Sequence, residues 1–156
     1  MRLHIAAVGR LRGGPERALV DDYLTRATRS GRPLGLGPVT EHQIDERKVT
    51  GAAAEAEALM RALPQGARRV VLDERGRELD SPGFAALLAS WRDDGAQDAG
   101  FVIGGADGLE PGLRDGADLV LCFGAMVWPH MLARVMLAEQ IYRATTILAG
   151  SPYHRR

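Results

Sequence analysis

Cysteine occurs once in these 156 residues, at Cys122, which excludes an internal disulfide and any multi-cysteine zinc site. The thiol is expected to be a small buried apolar group at a strand end, in a reducing compartment. Lysine is nearly absent too: Lys48 is the only one, and arginine supplies the other basic side chains. No apolar run approaches the roughly 18 residues needed to cross a bilayer. The opening Met1-Arg2-Leu3-His4-Ile5 lacks the long apolar core and small-residue cleavage site of a secretion signal. Together these absences predict a cytoplasmic protein with no membrane partner. The patterns GxxxxGK[ST], GxGxxG after the first strand, HExxH and GxSxG are all missing. A phosphate loop, a dinucleotide fingerprint, a zinc protease and a serine hydrolase are therefore disfavoured. His4, His42, His130 and His154 show no metal-ligand spacing, so no metal is expected.

What remains is an ordinary globular composition, 46% apolar and 26% charged, expected to form one domain over residues 1–156. Twenty basic and twenty acidic residues cancel, which argues against a protein coated in one sign of charge. The distribution is less even. Residues 1–50 carry nine basic and six acidic side chains, and Arg134 to Arg156 carries four against one. A local basic patch on a neutral body fits this pattern.

Apolar runs and glycine–proline punctuation predict alternating strands and helices. Strands are expected at Leu3–Val8, Val39–Ile44, Arg69–Asp73, Phe101–Ile103 and Leu119–Phe123. Helices are expected from Pro15 to about Ser30, with Leu19, Tyr23 and Leu24 on one face, and over Ala52–Leu63. Another is expected to open at an N-cap on Ser81 and run through Trp91, and the longest runs from Pro129 to about Leu148. The polar Glu74-Arg75-Gly76 reads as a turn that ends the third strand. This order implies an α/β layer fold with a mostly parallel sheet flanked by helices.

In such sheets ligands gather beyond the carboxyl ends of the strands. Three of those ends are unusual here: Leu72-Asp73-Glu74, Gly104-Gly105-Ala106-Asp107-Gly108, and Phe123 to His130. The GGxxG bend permits close backbone approach but is followed by acidic residues, which would repel a triphosphate. A ligand with an adenine, a cationic centre and no phosphate suits it better, and S-adenosylmethionine is one. Phe123 to Trp128 with Leu72 would supply an apolar slot for the base, although an apolar loop packed under a helix explains the same residues. In the last helix Leu137, Ile141 and Ala144 form one apolar stripe and Leu132, Val135, Met136 and Tyr142 a neighbouring one. So wide a surface suggests burial on two sides, one against the sheet and one against a second subunit. Glu139 and Arg143 are placed to pair on the helix. The tail, Ser151 to Arg156, is either a frayed end or an RNA-contacting element, with arginines for phosphate and Tyr153 for stacking.

The run from Trp128-Pro129-His130 to Ile141-Tyr142-Arg143-Ala144, with Phe101-Val102-Ile103-Gly104-Gly105 and Pro152-Tyr153-His154-Arg155, resembles the ribosomal RNA large subunit methyltransferase H family. The resemblance covers the whole chain. It implies a SPOUT α/β fold with a C-terminal trefoil knot, a homodimer, and methylation of N3 of a pseudouridine in 23S rRNA of assembled ribosomes. Cofactor contacts are implied at Leu72, Gly104, Phe123, Gly124, Ala125, Met126, Val127 and Trp128. Two departures stand out: Ala106-Asp107 where Pro-Glu is common, and Trp128 where a smaller apolar residue is common. The first keeps the acid and the second reshapes a pocket wall. His154 is the candidate general base, Arg155 the stabiliser of developing charge, Tyr153 a stacking or hydrogen-bonding group, and Arg143 and Arg156 contacts to RNA. Two rival readings use the same residues: a SPOUT enzyme acting on tRNA or another rRNA base, and a ribosome-binding protein without catalysis.

Overall fold

The computed structural model describes residues 1–106 and 108–155. Five strands, β1 (Arg2–Val8), β2 (Val39–Ile44), β3 (Arg68–Glu78), β4 (Asp98–Ile103) and β5 (Leu119–Cys122), form one sheet in the order β2-β1-β4-β3-β5. Every pairing in it is parallel. Helices α1 (Pro15–Gly31), α2 (Ala52–Ala62), α3 (Ser81–Asp93), α4 (Pro111–Asp115) and α5 (His130–Leu148) make the connections, with short 3₁₀ turns at Arg32–Leu34 and Glu46–Lys48. The expected α/β class is the one found.

Both sheet faces are covered, which is why the central strands read as unbroken apolar runs. Leu3, Ile5 and Ala7 of β1 point into a core shared with Phe84, Leu88, Leu137 and Ile141 of α3 and α5. Ala6 and Val8 point to the other face, against Leu59 of α2 and Leu63 just beyond it. All six residues of β4 are buried. The inner stripe of α5, Leu137, Ile141 and Ala144, is buried as its spacing predicted.

Three details differ from expectation. β3 does not end at Asp73: residues 73–76 bulge outward, and pairing with β5 resumes at Arg77↔Leu121 and Glu78↔Cys122. Gly76 fits there because a Cβ would come within 2.7 Å of the Val120 and Leu121 backbone. The N-cap of α3 is Asp80, whose carboxylate accepts from Gly83 N at 2.7 Å. Ser81 is already helical, and its hydroxyl donates to Gln140 Oε1 at 2.8 Å. On α1 the buried residues are Val20, Ala27 and Gly31, while Leu19 stays 45% exposed. The short α4 carried no signal long enough to predict.

Candidate active site

The three unusual strand ends meet. Leu72 and Asp73 of β3, Gly104 and Gly105 after β4, and Phe123, Gly124, Met126, Val127 and Trp128 after β5 line one cleft of about 550 Å³. The local chemistry explains its shape. Gly124 has φ +108°, a conformation L side chains rarely adopt, and it turns the chain out of β5. Cys122 Sγ donates to the Gly124 carbonyl at 3.0 Å, and Trp128 Nε1 donates to the Phe123 carbonyl at 3.3 Å, so the loop closes on itself. A Cβ on Gly104 would stand 2.7 Å from Leu109 Cδ2 inside the cleft. Ala125, grouped with these residues in the sequence, is exposed and does not line the cavity. Asp107 and Arg156 lie outside the described residues.

His130, the last residue of the third strand end, lines the cleft too, and so does Arg114 of α4, which the sequence had not singled out. Arg114 is paired with Asp73 at 2.9 Å, while Arg75, exposed to solvent, lines the same cleft. Among the described residues no group of three or more His, Cys, Asp and Glu side chains is arranged to hold a metal ion.

The tail does not fray within the described residues; it docks on α5. Tyr153 Oη donates to Glu139 Oε1 at 3.0 Å, and its ring lies 4.7 Å from that of Tyr142. The Arg143 guanidinium sits 4.8 Å above the Tyr153 ring and bonds Glu139 Oε1 through Nε at 3.0 Å and Nη2 at 2.5 Å. That carboxylate holds the Arg143 pKa above its ordinary value. Burial, followed by the hydrogen bond to Glu139, pushes the Tyr153 phenol well above its ordinary value. Arg143 Nη1 also reaches His154 Nδ1 at 3.3 Å. A guanidinium only donates, so Nδ1 accepts and the ring proton stands on Nε2. Arg155 is exposed.

Tyr153, His154, Arg155 and Arg143 do not line the cleft. His154 lines a second cavity of about 650 Å³, with Leu19 and Tyr23 of α1 and Val135, Met136 and Glu139 of α5. The two cavities share Leu121, Cys122, Phe123 and Gly124 as a common wall. One chain thus keeps the residues expected to hold a cofactor apart from those expected to handle a proton. Large apolar side chains stand exposed around them: Leu19, Met126, Val127, Trp128, Met131 and Leu132.

A residue the sequence did not flag braces the cleft. Arg134 of α5 is fully buried, yet donates to the carbonyls of Val8 and Gly9 at 3.0 and 2.9 Å and to Glu41 Oε1 at 3.1 Å. Burial pulls its pKa down and Glu41 opposes that shift. Its position three before Leu137 and seven before Ile141 was the available signal, because it puts a charge on the buried stripe.

The carboxyl edge of a parallel α/β sheet thus carries a glycine bend and an apolar loop on one cleft. A family profile described as "Predicted SPOUT methyltransferase" matches residues 1–154. The chain belongs to the SPOUT methyltransferase family. It is 66% identical to the Ribosomal RNA large subunit methyltransferase H of Paracoccus denitrificans (strain Pd 1222), over 99% of each chain. The proteins of that name from Ruegeria pomeroyi and Cereibacter sphaeroides (strain ATCC 17023) are 63% and 64% identical over the same share.

Proposed function

We propose that this protein methylates large-subunit ribosomal RNA with S-adenosylmethionine, at N3 of a pseudouridine of 23S rRNA in the assembled ribosome, working in the cytoplasm as a single-domain homodimer. The observation that carries the reading is the convergence of three separate strand ends on one cleft that has glycine on one wall and apolar side chains on another. Leu72, Gly104, Phe123, Gly124, Met126, Val127 and Trp128 would hold the cofactor, with Ala125 spacing the loop. Glycine lets backbone approach the ligand, and the apolar wall suits adenine. The trefoil knot belongs to the same family reading.

When bound, S-adenosylmethionine supplies a methyl group on a sulfonium centre. The chain's own residues place the acceptor nitrogen in line with it, and much of the acceleration comes from that positioning. As N3 of the pseudouridine gains the methyl carbon it gives up its proton. His154 takes that proton on Nδ1 once Arg143 turns from the ring to the RNA, while Arg155 offsets charge developing on the imide oxygens. Tyr153 stacks against the RNA or orients Arg143, and Arg156 adds a phosphate contact.

A second subunit reconciles the separated groups. With the cluster of Arg143, Tyr153 and His154 outside its own cleft, the tail of one subunit completes the cleft of the other. The exposed apolar side chains around the loop and the start of α5 support such an interface.

Mass spectrometry of rRNA nucleosides, with and without the active protein and on intact ribosomes beside free rRNA, tests the reading. The expected result is one methylated pseudouridine that depends on the protein and appears on ribosomes. A mark on tRNA or on another base would move the enzyme to a different substrate. No binding of S-adenosylmethionine at millimolar concentration would leave a ribosome-binding protein without catalysis.

A further inference from the structure

Helix α2 buries two residues, Leu59 and Glu55. Leu59 belongs to the apolar cluster beneath the helix. Glu55 is a carboxylate with 9% exposure, and its Oε2 is sealed from solvent without a hydrogen-bond partner among the described residues. Other buried carboxylates in the molecule are compensated. Asp98 is paired with Arg2 and His4, Asp45 with Arg47, and Glu41 with Arg17 and Arg134. A buried carboxyl without a partner is costly to ionise, and a cation brought beside it offsets that cost.

The carboxylate faces the cofactor cleft through one residue. A Cβ on Gly105 would lie 3.1 Å from both Glu55 oxygens and from Val8 Cγ1, so the carboxylate packs directly on the glycine's open side. Gly105 in turn lines the cleft. No side chain on Gly105 separates the charge from the cavity, and a buried charge is only weakly screened. Of the two arginines on the cleft wall, Arg114 is paired with Asp73, and Arg75 is exposed to water that screens it.

We propose that Glu55 is a specificity-determining residue that makes the cleft prefer the sulfonium methyl donor over its neutral thioether product, by setting a negative potential behind Gly105. The inference rests on the cofactor reading above. Donor and product share adenine, ribose and amino-acid ends and differ by one methyl group and one positive charge. A charge placed behind the wall therefore acts on that difference and not on the shared contacts. It favours donor loading and product departure without touching either ligand.

Calorimetric titration of S-adenosylmethionine and S-adenosylhomocysteine into wild type, Glu55→Gln, Glu55→Met and Glu55→Asp tests this, with thermal unfolding of the ligand-free proteins alongside. Both charge-removing variants should bind the donor about tenfold more weakly and the product within about twofold of wild type. Glu55→Asp should keep the wild-type preference. The ligand-free Gln and Met variants should melt at or above the wild-type temperature, because they lose a buried carboxylate oxygen without a partner. Parallel loss of both ligands would mean direct contact with the shared groups and overturn the inference. So would an unchanged preference, or failure of both charge-removing variants to fold. Wild type binding neither ligand would instead sink the cofactor reading itself.

Discussion

Two arginines nine residues apart on α5 show how one helix serves two ends. Arg134 is fully buried and spends its donors on Val8, Gly9, Glu41 and Gln43. Arg143 is partly exposed, bonds Glu139 of its own helix, and reaches His154 only at 3.3 Å. The first ties the start of α5 to the ends of β1 and β2 and so fixes the wall of the cleft. The second is held by part-exposed partners, and on the proposed reading it exchanges them for an RNA phosphate. A guanidinium is a brace where buried acceptors hold its two terminal nitrogens and a reagent where water can compete for it.

Chemistry should fail first at the tail end. His154→Ala should lower single-turnover methylation by about 10²–10⁴ while ribosome binding holds, since general-base catalysis contributes on that order. Turnover within about tenfold of wild type would remove His154 from that role. Stability should fail first at the other end. Arg134→Met leaves Glu41 with one cationic partner, Arg17, and should cost about 3 kcal/mol in urea unfolding. Arg143→Met should cost no more than about 1 kcal/mol. Equal losses would erase the contrast. Of similar size, Tyr153→Phe should cost about 0.5–1.5 kcal/mol, by removing the donor to Glu139.

The two ends should also answer to opposite ends of the pH scale. Tyr153 has a raised folded pKa, so its contribution is complete below the ordinary phenol value near 10 and fades as pH rises through the higher folded value. Absorbance titration of the phenolate should show this tyrosine ionising late, and Glu139→Gln should bring it earlier. Asp45, just after β2, has its pKa lowered to about 2, chiefly by the hydrogen bond from Arg47. Its contribution is complete above the ordinary carboxylate value and is lost as pH falls toward 2. Acid unfolding of Arg47→Ala should shift to higher pH.

The sheet and the cleft were legible in the chain because their signals are local. Apolar runs closed by glycine mark β1, β4 and β5, and glycine or apolar residues just past strand ends mark the ligand edge. What stayed hidden depends on contacts distant in sequence. Residues 73–76 look like a turn, and only pairing of β5 with both Leu72 and Arg77 shows them to be a bulge. Arg134 looks like one more charge on a helix until its partners, 91 to 126 residues away, are placed. The docking of Tyr153 on Glu139 has no periodicity to announce it. Glu55 carries the same lesson, since a glutamate in an alanine-rich helix reads as solvent-facing until Gly105 is set against it.

A crystal structure grown with S-adenosylmethionine asks the central question most directly. The account predicts density for the ligand between Gly104-Gly105 and the Phe123–Trp128 loop, with adenine against the apolar wall. Saturating ligand with that cleft closed by Leu109 and Trp128, or density bound only elsewhere on the chain, would contradict it.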